Sequence, residues 1–226
     1  MASDGRSLAP PTSLVFDLGG VVVRWEPEAF LAEVYPDPSV RDAVHRELVR
    51  HDDWHELDRG TLTPADAVRR TARRAGLPET TVARFLDHVP AALAPDPEAL
   101  ALLRDLRGAG HTLFCLSNMH HAFVEHFERE HDFLDLFAGR VISCRVGLVK
   151  PERAIFEHLV AEHELAPAAT VFVDDDPTNV AVAQSVGLRA LRFEGVERCR
   201  RDLERMGCGS SEAGGSATSS ASPASP

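Results

Sequence analysis

Polar residues that could do chemistry stand at the ends of three apolar runs in this chain. Asp17 follows LVF, Ser117-Asn118 follows TLFCL, and three consecutive aspartates at 174–176 follow TVFV. In open α/β sheets, ligands bind outside the carboxyl ends of the strands, so the three runs would bring these groups to one edge. A single strand-ending aspartate is typical of a turn or a helix cap, and only the combination indicates a site.

Lys150, in the segment GLVKPERAIF, is the only lysine among the 24 lysine and arginine residues of the chain. A chain that uses arginine at every other such position suggests that Lys150 does something a flat guanidinium cannot do. An ammonium is a compact point charge that fits among closely spaced oxygens. We therefore include Lys150 among the candidate site residues.

Short apolar runs alternate with helical patterns through much of the chain. The runs cover 13–18, 111–118, 140–144, 170–176 and 189–193, and the helical patterns cover 97–110, 122–134, 151–163 and 177–187. Strands that alternate with helices predict βαβ units and a parallel sheet with helices on both faces. The predicted fold class is α/β.

Residues 24–92 interrupt this alternation, because they contain only helical patterns with proline or threonine starts. They predict a helical insertion after the first strand. The core would then comprise 13–23 and 93–206. The first residues, 1–12, and the Gly-, Ser-, Ala- and Pro-rich stretch 207–226 are predicted to be flexible.

The composition limits the possible partners. The formal net charge is −11, with acidic and basic residues interspersed, which argues against nucleic-acid binding. No apolar stretch is long enough for a membrane helix and no leader pattern opens the chain, so a cytoplasmic protein without membrane contact is expected. The four cysteines have no metal-ligand spacing and are expected to be reduced thiols. The sequence does not predict an oligomeric state.

Four motifs in order, FDLGGVVV, LSN, GLVKPE and VFVDDDPTN, resemble the haloacid dehalogenase (HAD) superfamily, subfamily I, over residues 13–194. This resemblance implies a Rossmann-like core with an inserted α-helical cap. The DLG opening, LSN and the DD-x-x-x-N ending look most like the branch that contains α-D-glucose-1-phosphate phosphatase. The resemblance thus implies a phosphatase acting on a small phosphorylated metabolite.

The resemblance also implies roles for individual residues. Asp17 would be the nucleophile that forms an aspartyl-phosphate. Mg²⁺ would be held by the Asp17 carboxylate, the backbone carbonyl of Gly19 and Asp175, with Asp174 as a further ligand or its support.

The phosphoryl group would be bound by the residues of the second and third motifs, Ser117, Asn118 and Lys150, together with the backbone at Gly19. Lys150 would offset the negative charge that grows during phosphoryl transfer. Asn179 would orient the acidic loop that follows the last of the three apolar runs.

Gly19 departs from the superfamily pattern, because most of its phosphatases read D-x-D and use the second aspartate as general acid. One hypothesis is a substrate that tolerates poor protonation of its leaving group, such as a sugar 1-phosphate, an acyl phosphate or an aryl phosphate. Two alternatives remain open: a non-catalytic ligand-binding relative, and a metal-free dehalogenase. The aspartate triplet argues against the dehalogenase, because uncompensated carboxylates repel one another.

Other polar residues have weaker signals. His51 and His55 are spaced four apart but lack the HExxH order, which favours a solvated surface. His120 or His121 could replace the missing acid, although residues at such a position more often begin a surface helix. Trp54, Asp58 or Arg59 could face the substrate. Arg24 and Trp25 could line its entrance, or equally form a plain hinge or surface contact.

Overall fold

All five apolar runs form strands in a computed structural model that describes residues 12–208. The strands are β1 (Ser13–Phe16), β2 (Thr112–Ser117), β3 (Gly139–Ile142), β4 (Thr170–Asp174) and β5 (Arg189–Arg192). They pair only in parallel, in the order β3-β2-β1-β4-β5, so β1 lies at the centre between β2 and β4. The α/β prediction is confirmed.

Alternate residues of β1 face opposite sides of the sheet, as its period of two requires. Leu14 and Phe16 pack in one apolar cluster, whereas Val15 packs in a second cluster. Helices supply the rest of both clusters, so the sheet is buried on both faces, which is typical of parallel sheets. This burial fixes the strand ends relative to one another.

Helices fill the connections between the strands. From Pro97 onward the helices are α6 (Pro97–Gly108), α7 (His121–Glu130), α8 (Ser143–Val146), α9 (Arg153–Glu162), α10 (Pro177–Ser185) and, after the last strand, α11 (Val196–Arg205). The helix predicted over 122–134 was too long, because the chain turns extended at His131 and continues as a 3-10 turn from Phe133.

The chain between β1 and α6 contains only helices as regular elements. They are α1 (Pro27–Val34), α2 (Pro38–Val44), a π-helical turn (His45–Val49), α3 (Asp52–Arg59), α4 (Pro64–Ala75) and α5 (Glu79–Ala92). We call residues 24–92 the helical segment. Its buried side chains, Trp54 and Phe85 among them, join the same apolar cluster as Leu14 and Phe16, so apolar packing is continuous from this segment to the sheet.

The local starts and stops follow from sequence. Thr63 caps α4 by accepting a hydrogen bond from Asp66 N–H, and Pro64 occupies the first turn. Gly60 and Gly76 end α3 and α4 with φ of 80° and 66°, a conformation that favours glycine. These signals set α3 and the turn after it in place.

At the C-terminal end, the structure describes the first two residues of the predicted tail. Gly207 follows α11 and Cys208 is buried, with its N–H donating to Leu203 O. The remainder of the predicted tail, and residues 1–11, lie outside the described residues. The four cysteines are buried and free. Within 12–208 no helix has the length and apolar content to cross a bilayer.

Candidate active site

Asp17 lies directly after the central strand, between the ends of β2 and β4. Phe16 pairs with Cys115 on one side and Val173 on the other, and Asp17 N–H donates to Val173 O over 3.0 Å. The carboxylate oxygen Oδ1 accepts from Leu18 N–H at 2.7 Å. The parallel register therefore brings Asp17 next to the last residues of both neighbouring strands.

Lys150, in the loop between α8 and α9, contacts the carboxylates of Asp17 and Asp174. Its Nζ lies 2.8 Å from Asp17 Oδ2 and 2.7 Å from Asp174 Oδ2. Lys150 and Asp174 are buried to 2% and 0% exposure, so the three charges lie almost out of water. Buried charges of this kind persist when each has a close partner of opposite sign.

The pKa values of Asp17 and Lys150 both lie above their ordinary values, for different reasons. Burial raises the pKa of Asp17 to about 7, against the lowering effect of Lys150, and the charge of Asp174 adds to the rise. Burial alone would lower the pKa of Lys150, but the carboxylates of Asp17 and Asp174 outweigh it, so its pKa lies above the ordinary value. Lys150 is therefore a permanent cation at neutral pH.

Asp174 is held on every side by protein donors. Asn179 Nδ2 lies 3.1 Å from each of its carboxylate oxygens, and Asp176 N–H donates to Oδ1 at 2.8 Å. With Lys150 on Oδ2, both oxygens already accept hydrogen bonds. Asn179 thus contacts the acidic loop that the sequence analysis assigned it to orient.

Asp17, Asp174 and Asp175 form a group that could hold a metal ion, since one oxygen from each lies within 4.8 Å of the others. With all three carboxylates ionised, this group and the Lys150 ammonium would carry a formal charge of −2, which a divalent cation would balance. Carboxylate oxygens are the ligands that Mg²⁺ prefers. The residues therefore fit the expected ion.

Gly20 lies against this acidic group. Its φ is +75°, and a Cβ built there would come within 2.5 Å of Asp175 Oδ2. The position excludes any side chain, both for its backbone conformation and for the space that Asp175 occupies. At Gly19, by contrast, the nearest heavy atom to a built Cβ is Trp25 Cβ at 3.8 Å.

Ser117 and Asn118 end β2 at the same edge of the sheet. The Ser117 hydroxyl is buried without a well-formed hydrogen bond among the described residues, and it lies near enough to Asp17 to lower the pKa of that carboxyl slightly. Both ends of the Asn118 amide instead bond to the backbone of Lys150. The assignment of Asn118 to phosphate binding stays a prediction, whereas its observed contact positions Lys150.

A cavity of about 290 Å³ opens beside Asp17, between the sheet edge and the helical segment. Its polar lining includes Asp17, Gly19, Asn118, Lys150, Asp175, Asp176 and Asn179 from the core and His55 and Asp58 from α3. Its apolar lining consists of Val23, Trp25, Trp54, Leu93, Met119 and Phe123. The cavity is thus charged at the strand ends and largely apolar and aromatic elsewhere.

The histidines occupy different places from those expected. His120 is buried against the rings of Trp54 and Phe123 and does not line the cavity. Burial lowers its pKa to about 3, so the imidazole is neutral. His51 caps α3 by accepting from Asp53 N–H. His55, expected on a solvated surface, is exposed but also lines the cavity.

The remaining expected residues divide between the cavity and its surroundings. Trp25, Trp54 and Asp58 line the cavity. Arg24 lies instead at a neighbouring cavity and pairs with Asp96 at 3.6 Å. Arg59 is not among the residues that line the cavity, and its side chain pairs with Glu152, just before α9.

Ser143, at the start of α8, was not identified from the sequence. Its hydroxyl accepts from Met119 N–H at 2.9 Å and donates to Asp58 O, so it links the end of β2 to the helical segment. Asp58 and Ser143 are 85 residues apart in the chain. An isolated serine after a strand carries no sequence signal for such a contact.

Comparisons with known proteins agree with this geometry. A family model described as haloacid dehalogenase-like hydrolase matches residues 12–187. A sesquiterpene phosphatase of Aspergillus oryzae is 29% identical over 195 residues, which cover 86% of this chain and 96% of that protein. A D-ribitol-5-phosphate phosphatase of Bacteroides thetaiotaomicron is 27% identical over 209 residues, covering 84% and 96%.

A solved structure also matches the fold. It is a HAD family enzyme of Bacteroides thetaiotaomicron in complex with magnesium and inorganic phosphate. The TM-score is 0.62 at 20% identity, and the match covers 81% of this chain and 94% of that one. At this identity the match concerns the fold alone. The resemblance to the sugar-1-phosphate phosphatase branch stays a prediction.

Proposed function

Because the chain belongs to the haloacid dehalogenase-like hydrolase family, we propose that it is a magnesium-dependent phosphatase that hydrolyses a small phosphate monoester through an aspartyl-phosphate on Asp17. One observation carries the proposal: Lys150 lies between Asp17 and Asp174 in a cavity that Asp175 also lines. The names of the two relatives, both phosphatases matched over nearly their whole length, support the reaction class.

In this mechanism the Asp17 carboxylate attacks phosphorus and the bond to the ester oxygen breaks. Leu18 N–H and Lys150 Nζ each hold one oxygen of Asp17, which orients the carboxylate before attack. Lys150 offsets the negative charge that develops, and the Ser117 hydroxyl donates to a phosphoryl oxygen. Water then hydrolyses the acyl phosphate and restores Asp17.

The ion would be held by Asp17, Asp175 and the backbone carbonyl of Gly19, with Asp174 as ligand or support. When bound, Mg²⁺ would supply positive charge that offsets the charge of the phosphoryl group, and it would lower the pKa of Asp17, which favours the ionised carboxylate. The charge balance of the carboxylates and Lys150 supports a divalent ion. The solved structure of similar fold in complex with magnesium and phosphate is consistent with it.

The lining of the cavity favours a substrate whose alcohol part is apolar. Trp25, Trp54 and Phe123 provide flat apolar surface beside the charged group. Most polar groups of the lining are already engaged: Asn118 with Lys150, and Asn179 with Asp174. Few donors remain for the hydroxyl groups of a sugar, so we expect prenyl, terpenoid or aryl phosphates to be hydrolysed more efficiently than sugar 1-phosphates.

The test is release of inorganic phosphate from para-nitrophenyl phosphate, a prenyl phosphate, glucose 1-phosphate and ribitol 5-phosphate, with Mg²⁺ or with EDTA. We expect release with Mg²⁺, loss of release with EDTA, and loss in Asp17→Asn. Asp135→Asn, an exposed carboxylate with no side-chain hydrogen bond among the described residues, is the matched control and should leave release unchanged.

The panel also separates the alternatives. Release that persists in Asp17→Asn would contradict the nucleophile assignment. Phosphate release from none of the esters by wild type, with Mg²⁺ binding intact, would point to a ligand-binding relative. Halide release from a 2-haloacid, unaffected by EDTA, would point to dehalogenation. A higher kcat/KM on glucose 1-phosphate than on the prenyl ester would contradict the apolar substrate and support the sugar 1-phosphate hypothesis.

A further inference from the structure

Helix α3 contains two buried aspartates with opposite surroundings. Asp53 is bonded to two guanidiniums, Arg70 at 3.1 Å and Arg74 at 2.7 Å, which is the ordinary way to bury a carboxylate. Asp58 is 6% exposed, yet its carboxylate has no hydrogen bond or ion pair among the described residues. An unpaired buried carboxylate is costly, and such groups concentrate at functional sites.

The Asp58 carboxylate lies at the cavity beside the proposed nucleophile. Asp58 lines the same cavity as Asp17 and Lys150, and it is close enough for both charges to act on it. It is contributed by α3 of the helical segment, whereas Asp17 and Asp175 follow strands of the sheet. In the proposed reaction the phosphoryl group contacts Asp17, and the alcohol part of a substrate would extend into the rest of the cavity, which Asp58 lines.

Two contacts fix the backbone of Asp58 relative to the core. Ser143, itself bonded to Met119 N–H, donates to Asp58 O. The next residue, Arg59, donates to Gly147 O at 3.1 Å and forms a two-pronged ion pair with Glu152. The loop between Gly147 and Glu152 also carries Lys150, so Asp58 and Lys150 are held in a common frame.

We propose that Asp58 is the proton donor to the leaving group, in the role for which Gly19 has no side chain; this inference rests on the proposed phosphatase function. As Asp17 attacks phosphorus, the electron pair of the breaking phosphorus–oxygen bond goes to the ester oxygen, which takes the Asp58 proton and leaves as a neutral alcohol. Asp58 is then a carboxylate. It takes a proton from the water that attacks the acyl phosphate, phosphate leaves, and Asp17 is restored as a carboxylate.

The protonation of Asp58 agrees with this role. Burial raises its pKa to about 8, the charge of Asp17 adds to the rise, and Lys150 opposes it. A general acid works best with a pKa near the operating pH. The charged or titratable groups that face the same cavity are Asp17, His55, Lys150, Asp175 and Asp176. Of these five residues, only His55 belongs, like Asp58, to the helical segment.

The test compares two esters that carry similar apolar rings. Para-nitrophenolate leaves without protonation, whereas the alkoxide of benzyl phosphate needs a proton. We expect Asp58→Asn to lower kcat/KM for benzyl phosphate by about 10²- to 10⁴-fold and that for para-nitrophenyl phosphate by less than about tenfold. The ratio kcat/KM is used because it reports only the steps up to departure of the alcohol. Glu56→Gln, on the exposed part of α3, should change neither value.

Further arms decide between binding, structure and proton transfer. Asp58→Glu, which keeps the carboxyl group, should retain more benzyl phosphate activity than Asp58→Asn, and Asp58→Ser serves if the Asn variant does not fold. Equal losses on both esters in Asp58→Asn would overturn the proposal, as would a selective loss on benzyl phosphate in His55→Gln alone. If wild type hydrolyses neither ester, the proposed phosphatase function itself fails. If wild type hydrolyses both esters and Asp58→Asn shows no selective loss on benzyl phosphate, the phosphatase function stands and only the role of Asp58 fails.

Discussion

Asn118 and Lys150 exchange two hydrogen bonds. Asn118 Nδ2 donates to Lys150 O and Lys150 N–H donates to Asn118 Oδ1, each over 2.8 Å. A side-chain amide at the end of β2 therefore completes the backbone hydrogen bonding of a loop 32 residues away. The position of the Lys150 ammonium depends on this pair.

We expect Asn118→Ala to leave two partly buried backbone groups without partners, which costs about 1–3 kcal/mol for each group. The free energy of unfolding in urea should fall accordingly, and kcat should fall because Lys150 loses its fixed position. Gln184→Ala removes an exposed amide on α10 and should change neither quantity. Unchanged stability in Asn118→Ala would show that the pair is dispensable.

Lys150→Arg tests why the chain uses an ammonium at this position. The side chain is 2% exposed and touches two carboxylates, so a wider guanidinium must displace its neighbours. Overpacking of this kind costs about 1–3 kcal/mol, and we expect kcat to fall by at least about 10²-fold because a small misplacement at the reacting centre is expensive.

Arg153→Lys is the matched control for this exchange. Arg153 is exposed and pairs with Glu157 four residues along α9, so the reverse replacement should change stability by no more than about 0.5 kcal/mol. Urea unfolding and phosphate release measure both variants. Full activity in Lys150→Arg would mean that any cation suffices between Asp17 and Asp174.

Gly20→Ala should weaken metal binding. The added Cβ would meet the Asp175 carboxylate, and the left-handed φ penalises any side chain by about 1–3 kcal/mol. We expect the Kd for Mg²⁺, measured by titration calorimetry, to rise about tenfold or more, as when a supporting contact of a metal ligand is lost.

Gly76→Ala separates the two effects at Gly20. Gly76 also has a left-handed φ, but no heavy atom lies within 4 Å of a built Cβ. This variant should lose stability without any change in the Kd for Mg²⁺. Equal Mg²⁺ affinity in Gly20→Ala and wild type would remove Asp175 from the ion site.

Asp58→Asn should be more stable than wild type above neutral pH. The carboxyl group titrates near 3.8 when unfolded and near 8 when folded, so stability is present below 3.8 and is lost as pH rises toward 8. The amide does not titrate. The difference in Tm between variant and wild type should therefore grow from pH 4 to pH 8.

By pH 8 the expected gain is at least about 1 kcal/mol, which corresponds to about 2–4 °C in Tm for a chain of this size. Thermal unfolding followed by circular dichroism measures it, with Glu56→Gln as the control. A difference in Tm that is constant with pH would mean that Asp58 has an ordinary pKa in the folded protein.

The sequence predicted the strands and their terminal polar residues because these signals are local. An apolar run that ends in Asp17, Ser117 or Asp174 can be read directly, and parallel pairing then brings the ends together. The proline and threonine starts of the helical segment were read in the same way. Boundaries were less accurate where a helix ended without a glycine, as at His131.

The contacts that position the site could not be read from the sequence. Ser143 and Asp58, or Arg59 and Glu152, meet only because the helical segment packs back on the core across 85 and 93 residues of chain. The period of α3 indicates that Asp58 shares a face with Trp54 and Leu57. It does not indicate that this face borders a cavity containing Asp17.

Because Lys150 is the only lysine of the chain, its side chain can also serve as a chemical reporter of the site. It carries the only side-chain amine of the chain, and it is almost completely covered. An amine-acylating reagent can reach it only when the site opens, so its acylation rate, read by mass spectrometry, would follow the opening of the cavity with no label introduced. A ligand that holds the site closed would slow that reaction in proportion to the time it spends bound.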